Sequence, residues 1–200
     1  MNLFQRVNIT ASLAVLGAVG VAYADAIAKM KADQSLLAAS REQLTPLLLT
    51  LFVLLFKVKT MLDDHQHFGE ERQQRGGYRH LGFVLALFSW LFWILAAYFL
   101  FVPVRASELM IISIAISTAW IAVHIIELIR EKKRGVELAV SLMREKWVLF
   151  NVGYIICLGV FLGWIEPVVP TSSLLPLIVL LVLLAADYLS SRSYPEGNIG

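Results

Sequence analysis

The chain has 200 residues, of which 58% are hydrophobic and 16% charged, and its formal net charge is +2. Soluble domains are only about 45–50% hydrophobic, so this composition indicates a membrane protein. The small net charge does not favour nucleic-acid binding, and we expect no nucleic-acid partner. The single cysteine, Cys157, excludes a disulfide framework within one chain.

Six long apolar stretches account for most of the chain. Each is close to the ~20 residues that a helix needs to cross a ~30 Å hydrocarbon core. In lipid, such segments must be helices because their backbone hydrogen bonds have to close internally. We therefore predict an all-α integral membrane protein, a bundle of six transmembrane helices forming a single domain over residues 1–200 in the lipid bilayer. The predicted helices are 9–28, 44–62, 81–102, 109–129, 148–165 and 174–189.

Several residues mark the expected ends and contacts of these helices. Thr45 followed by Pro46 is typical of a helix start, and Pro103 is expected to end the third helix. Gly159 and Gly163 form a GxxxG pattern in the fifth helix. This pattern allows close helix packing, either within one chain or between two copies.

The basic residues predict the orientation of the bundle. With the amino terminus placed inside, 13 of the 17 Lys and Arg residues fall on the inner side. Because short loops rich in Lys and Arg stay in the cytoplasm, both termini are predicted to be cytoplasmic, and the protein is expected in the plasma (inner) membrane. The inner set is Arg6, Lys57, Lys59, Arg72, Arg75, Arg79, Arg130, Lys132, Lys133, Arg134, Arg144, Lys146 and Arg192.

Polar residues within the predicted helices suggest a pore or transport path. Ionisable groups in a membrane are costly and tend to mark ion or proton paths. Asp25 lies in the first helix, and the fourth contains Ser113, Ser117, His124 and Glu127. His124 and Glu127 are three residues apart and therefore share a helix face.

A structural role is the alternative for these groups. The two ionisable residues of the fourth helix could lie in the headgroup zone or bond a neighbouring helix, and Asp187 in the sixth helix could join them. The hydroxyls of Ser113, Ser117 and Thr118 are expected to bond carbonyls of their own helix.

A second cluster is a candidate metal site. Asp63, His65 and His67 lie where the second helix meets the cytoplasm, and carboxylates and imidazoles at this density can bind a divalent ion. Arg72 and Arg75 follow closely, which favours a solvated charged loop instead. We expect no bound metal and no cofactor.

The sequence contains no recognisable enzyme signature such as GxSxG, HExxH or a P-loop. The favoured function is an oligomeric ion channel or small-solute transporter, expected to assemble as a homo-oligomer. The alternative is an accessory, sensor or anchor subunit without transport of its own. It would bind a protein partner or anionic lipid through the basic residues Lys132, Lys133 and Arg134.

Overall fold

The computed structural model describes residues 3–29, 41–67, 78–132, 141–164 and 174–192, and these residues contain six helices. No strand occurs among these residues, which confirms the predicted all-α fold. The helices are α1 (Leu3–Lys29), α2 (Arg41–His67), α3 (Tyr78–Tyr98), α4 (Pro103–Lys132), α5 (Ser141–Leu162) and α6 (Leu175–Arg192).

Two segments of the described chain are long and apolar enough to cross a bilayer, judged by length and composition. They are Leu44–Leu62 in α2 and Pro103–Val123 in α4. These segments agree with an association with the membrane, whereas six spans stay a prediction. The apolar parts of the other helices are shorter and cover Ile9–Ala24, Val84–Tyr98, Lys146–Leu162 and Leu175–Ser190.

The turn between α3 and α4 lies earlier than hydropathy predicted. α3 ends at Tyr98 instead of 102, and the Val102 amide donates to the Phe99 carbonyl over 2.7 Å. Pro103 does not end α3 but begins α4. Proline suits that place because the first amides of a helix have no intrahelical partner. The polar first turn of α4 concealed this start, since hydropathy registers only the apolar part of a helix.

The same limitation applies to α2, which begins at Arg41 and not at 44. Thr45 and Pro46 therefore lie inside the helix, in its second turn, and Thr45 is buried. The first turn of α2 is polar, so a prediction from hydropathy does not include it in the helix.

The GxxxG pattern of α5 is interrupted by the end of the helix. Gly163 has φ 74°, a left-handed conformation that glycine adopts without steric cost. The Gly163 amide donates to the Val160 carbonyl over 3.1 Å and the Trp164 amide to the Gly159 carbonyl over 2.9 Å. This is the Schellman arrangement that closes a helix. Gly163 thus terminates α5 at Leu162 and does not extend a packing face.

The helices close into a ring in the order α1–α2–α6–α5–α4–α3, in which each helix packs against the two beside it. α2 also contacts α4 across the ring. The space between α2, α3 and α5 is filled by four buried rings, Phe52, Phe56, Trp93 and Tyr154, which we call the aromatic cluster. Phe56 stacks on Trp93 at 4.9 Å between centroids, and Tyr154 meets Phe52 and Phe56 at 5.7 and 5.6 Å. The centre of the described bundle is therefore packed.

Candidate functional site

A buried lysine lies on the inward face of α2. Leu49, Phe52, Phe56 and Lys59 follow one another at helical spacing and form one buried stripe. Only 4% of Lys59 is exposed. The buried stripe thus consists of three apolar residues followed by one charged residue.

α6 presents a buried carboxylate to this lysine. Its inward stripe is Leu177, Leu180, Leu184 and Asp187, and Asp187 is 2% exposed. Lys59 Nζ and Asp187 Oδ2 are 3.0 Å apart, which makes an ion pair between α2 and α6. Because these two helices are neighbours in the ring, residues 128 positions apart in sequence come into contact.

α5 completes the site with two aromatic side chains. The Tyr154 hydroxyl donates to Asp187 Oδ2 over 2.7 Å. Lys59 Nζ lies 5.6 Å from the centroid of the Trp147 ring, within cation–π range. Lys59, Trp147, Tyr154 and Asp187 are called the Asp187 site below. Asn151 is buried on the same face of α5, between the two aromatic residues.

The electrostatics of the Asp187 site distinguish it from ordinary packing. Moving an ion out of water costs several kcal/mol even after relaxation, and only close pairing with further hydrogen bonds offsets this. The contact to Lys59 and the hydroxyl of Tyr154 supply that compensation at Asp187 Oδ2. A hydrophobic pair of similar volume often stabilises a protein as well or better. Stability alone therefore does not account for two charges at this position.

Tyr154 joins the Asp187 site to the aromatic cluster. Its ring lies against Phe52 and Phe56, while its hydroxyl contacts Asp187. The other buried lysine of α2, Lys57, lies on the aromatic side, with Nζ 5.1 Å from the ring centroid of Trp93. Tyr154 is thus in contact with both Asp187 and the packed centre of the bundle.

A separate set of hydroxyls ties α3 to α4. Ser89 Oγ lies 2.9 Å from Ser113 Oγ and 2.8 Å from Ser117 Oγ, and the Ser113 hydroxyl donates to the Ser89 carbonyl over 2.8 Å. Ser113 and Ser117 were expected to bond their own helix, which was wrong because Ser89 of α3 faces them. The expectation holds for Thr118, whose hydroxyl donates to the Ile114 carbonyl over 2.7 Å.

These contacts give a testable contrast in stability. Ser89→Ala removes the hydroxyl on which the α3–α4 contacts converge and should lower the free energy of unfolding by about 1–2 kcal/mol. Thr118→Val is the matched control and should change it little, because its hydroxyl bonds a carbonyl of its own helix. Thermal unfolding in detergent measures both variants. Equal destabilisation by the two substitutions would contradict the interhelical role of Ser89.

The predicted path residues are not brought together by the described contacts. Ser113 is fully buried and Ser117 partly buried in the α3–α4 contact. Asp25 belongs to α1, and His124 and Glu127 belong to α4, but their side chains lie outside the described residues. Their role in a path stays a prediction.

Asp187 was named as a residue that could join His124 and Glu127. Its partners among the described side chains include Lys59 and Tyr154. The side chains of His124 and Glu127 lie outside the described residues, so a contact between them and Asp187 stays a prediction.

The other predicted site residues fall at helix ends. Asp63, His65 and His67 are in the last turns of α2, but their side chains lie outside the described residues. Among the described side chains, no group of three His, Cys, Asp or Glu is close enough to hold a metal ion. Lys132 is the last residue of α4, with its side chain outside the described residues, as are Lys133 and Arg134 altogether.

Sequence reasoning missed Lys59, Trp147 and Tyr154 as site residues. Lys59 was counted only among the basic residues of the inner side, and Trp147 lies just before the predicted fifth helix, 148–165. The available signal was the spacing of Lys59 from Phe52 and Phe56, which places it on the inward face of an apolar helix.

Comparison with known proteins adds no relative: no family model, no curated protein and no solved structure matches the chain.

Proposed function

We propose that the chain is a six-span membrane transporter of an ion or small solute, and that the Asp187 site lies on its translocation path. The observation that carries this proposal is the ion pair of Lys59 and Asp187, buried between helices that are otherwise apolar. Charged groups at membrane depth are expensive, face the bundle interior and tend to mark transport paths.

The distribution of polarity supports a membrane location for all six helices. Large apolar side chains are exposed on every helix, with Val21 on α1 at 72%, Leu149 on α5 at 70% and Leu189 on α6 at 65%. The charged residues Lys59 and Asp187 are buried instead. A soluble bundle places its polar residues outward, whereas lipid favours the reverse.

Topology has a direct test. In a Cys157→Ser background, single cysteines at Gln73 and Ser141 should react with an impermeant thiol reagent only from the cytoplasm. Cysteines at Gln34 and Val169 should react only from outside. The expectation follows from the strong excess of basic residues on the inner side. The opposite sidedness would refute the placement of both termini in the cytoplasm.

The packing of the ring favours a gated path over a permanently open pore within one chain. The aromatic cluster fills the space between α2, α3 and α5, and it touches the Asp187 site through Tyr154. Passage would require these rings to move. Rearrangement of packed elements around a fixed site is the usual basis of alternating access. Assembly into a homo-oligomer is part of the same proposal.

Uptake into proteoliposomes tests the transport function. The native chain should take up at least one member of a panel of monovalent ions, divalent ions and small solutes. Asp187→Asn keeps the side-chain size but removes its charge, and should lower the uptake rate at least about tenfold, or ~1.4 kcal/mol in activation free energy. The control is Arg105→Gln, which removes an exposed charge paired with Glu108 at the start of α4 and should leave uptake unchanged.

Absence of uptake across the whole panel would overturn the transport function. A stoichiometric protein partner that is lost on neutralising Lys132, Lys133 and Arg134 would then establish the accessory-subunit alternative.

A further inference from the structure

We propose that the Asp187 site is a binding site for a small monovalent cation and that the Lys59 ammonium is its exchangeable occupant. The proposal rests on the transport function and deepens it, because it names the class of substrate. It also gives Lys59 a role beyond that of a structural ion-pair partner.

The chemistry of the site is that of a cation receptor. Asp187 supplies a carboxylate oxygen 3.0 Å from the ammonium nitrogen. The Trp147 ring offers its electron-rich face at 5.6 Å from that nitrogen. Buried carboxylates need a positive partner, and aromatic faces attract cations most strongly where water is excluded. The Tyr154 hydroxyl, bonded to the same carboxylate oxygen, adds a neutral oxygen beside the bound charge.

Charge balance selects the class of ligand. When a monovalent cation replaces the Lys59 ammonium, Asp187 keeps a positive partner throughout. An anion entering in its place would bring a second negative charge beside the buried carboxylate, and like charges at that distance repel each other. The Asp187 site therefore favours potassium, sodium or a primary ammonium over anions.

The Lys59 side chain comes from a different helix than the rest of the Asp187 site, which permits its exchange for a free cation. Lys59 belongs to α2, whereas Trp147 and Tyr154 belong to α5 and Asp187 to α6. The ammonium is carried on a flexible four-carbon stem, so the side chain can vacate the site by rotamer changes. It then extends to the headgroup zone beyond the nearby end of the apolar span Leu44–Leu62, where water solvates the charge. The remaining three residues stay on two packed helices. Cation binding at Asp187 and release of Lys59 are thus one exchange.

Chemical rescue tests the proposal in the purified full-length protein. Lys59→Ala removes the atoms Cγ, Cδ, Cε and Nζ, which together correspond to propylammonium. Saturating propylammonium chloride should raise the melting temperature of this variant by about 5 °C, and potassium or sodium chloride should also raise it. N-methylglucamine chloride at the same ionic strength should not, because that cation is too large for the space left.

Two matched variants control the rescue. Lys59→Ala combined with Asp187→Asn lacks the carboxylate and should show no response to propylammonium. Lys57→Ala shortens the other buried lysine of α2, whose ammonium lies over Trp93. Propylammonium should cause no rise in the melting temperature of this variant that depends on Asp187. An unchanged melting temperature of Lys59→Ala in all three small cations would overturn the proposal, as would an equal rise in the variant without the carboxylate.

A second measurement uses the native chain and does not depend on the folding of Lys59→Ala. Potassium or propylammonium should displace Lys59 and increase its rate of modification by an amine-reactive reagent, read by mass spectrometry at that residue. A rate equal to that in N-methylglucamine chloride would overturn the exchange. Neither experiment measures uptake, so cation binding can fail while transport holds, and transport can fail while cation binding holds.

Discussion

Asp187→Ala is expected to lower the free energy of unfolding by about 3–5 kcal/mol, because it deprives a buried ammonium of its carboxylate. The ammonium of Lys59 is enclosed by α2, α5 and α6, and Asp187 Oδ2 is its ion-pair partner at 3.0 Å. The substitution also removes the acceptor of the Tyr154 hydroxyl. Equilibrium unfolding in detergent micelles measures the loss.

Two further variants establish that charge, and not volume, causes this loss. Lys59→Met combined with Asp187→Leu replaces both charges with apolar groups of similar size and should regain most of the stability. Glu108→Gln breaks an exposed ion pair to Arg105 at 3.1 Å and should cost less than about 1 kcal/mol. A buried unpaired charge is not the cause of the loss if Asp187→Ala costs no more than Glu108→Gln, or if the double variant is as unstable as Asp187→Ala.

Tyr154→Ala is expected to have a second large effect, a loss of about 3–5 kcal/mol from the cavity left in the bundle centre. The Tyr154 ring is fully buried and meets the rings of Phe52 and Phe56 edge-on. Tyr154→Phe keeps these contacts and removes only the hydroxyl that donates to Asp187. It should therefore cost about 1.5–3 kcal/mol, the range for a hydrogen bond to a charged group.

In the uptake assay, the same two variants distinguish the packing of the Tyr154 ring from the contact of its hydroxyl with Asp187. Tyr154→Ala should leak, because it opens the aromatic cluster beside the Asp187 site. Tyr154→Phe should remain tight but transport more slowly, because the cluster no longer contacts Asp187. Identical uptake by Tyr154→Phe and the native chain would show that the hydroxyl does not couple Asp187 to the aromatic cluster.

The all-α fold could be predicted from the sequence because long apolar stretches, when they lie in lipid, leave the backbone no alternative to helices. Helix ends were predicted less well. Pro103 was expected to end α3 and instead begins α4, and α5 ends at Leu162, just before the left-handed Gly163. Hydropathy does not detect a polar first turn, because it registers only the apolar part of a helix. It also does not detect a helix end at a left-handed glycine, because that end depends on backbone geometry.

The Asp187 site could be predicted only in part. Asp187 was recognised as a charged residue in an apolar helix, but its partner depends on which helices are neighbours. α2 and α6 are distant in sequence and adjacent in the ring. Lys59 was counted among the basic residues of the inner side, and its burial depends on which side of α2 faces α6. Likewise, whether Ser113 bonds its own helix or Ser89 depends on the orientation of α4 against α3.

The most direct test of the transport path is the water accessibility of the Asp187 site in an intact membrane. In a Cys157→Ser background, Asn151→Cys places a thiol on the buried face of α5, between Trp147 and Tyr154. Val152→Cys places one at almost the same depth on a side that is 42% exposed at the outer surface of the bundle. Thiol reagents attack the thiolate, which requires water.

We predict that an impermeant methanethiosulfonate modifies Asn151→Cys in proteoliposomes and leaves Val152→Cys unmodified, because the first faces an aqueous path and the second faces lipid. Both variants should react fully after denaturation. If Asn151→Cys is as inert as Val152→Cys until the protein is denatured, the Asp187 site is sealed and does not lie on a transport path.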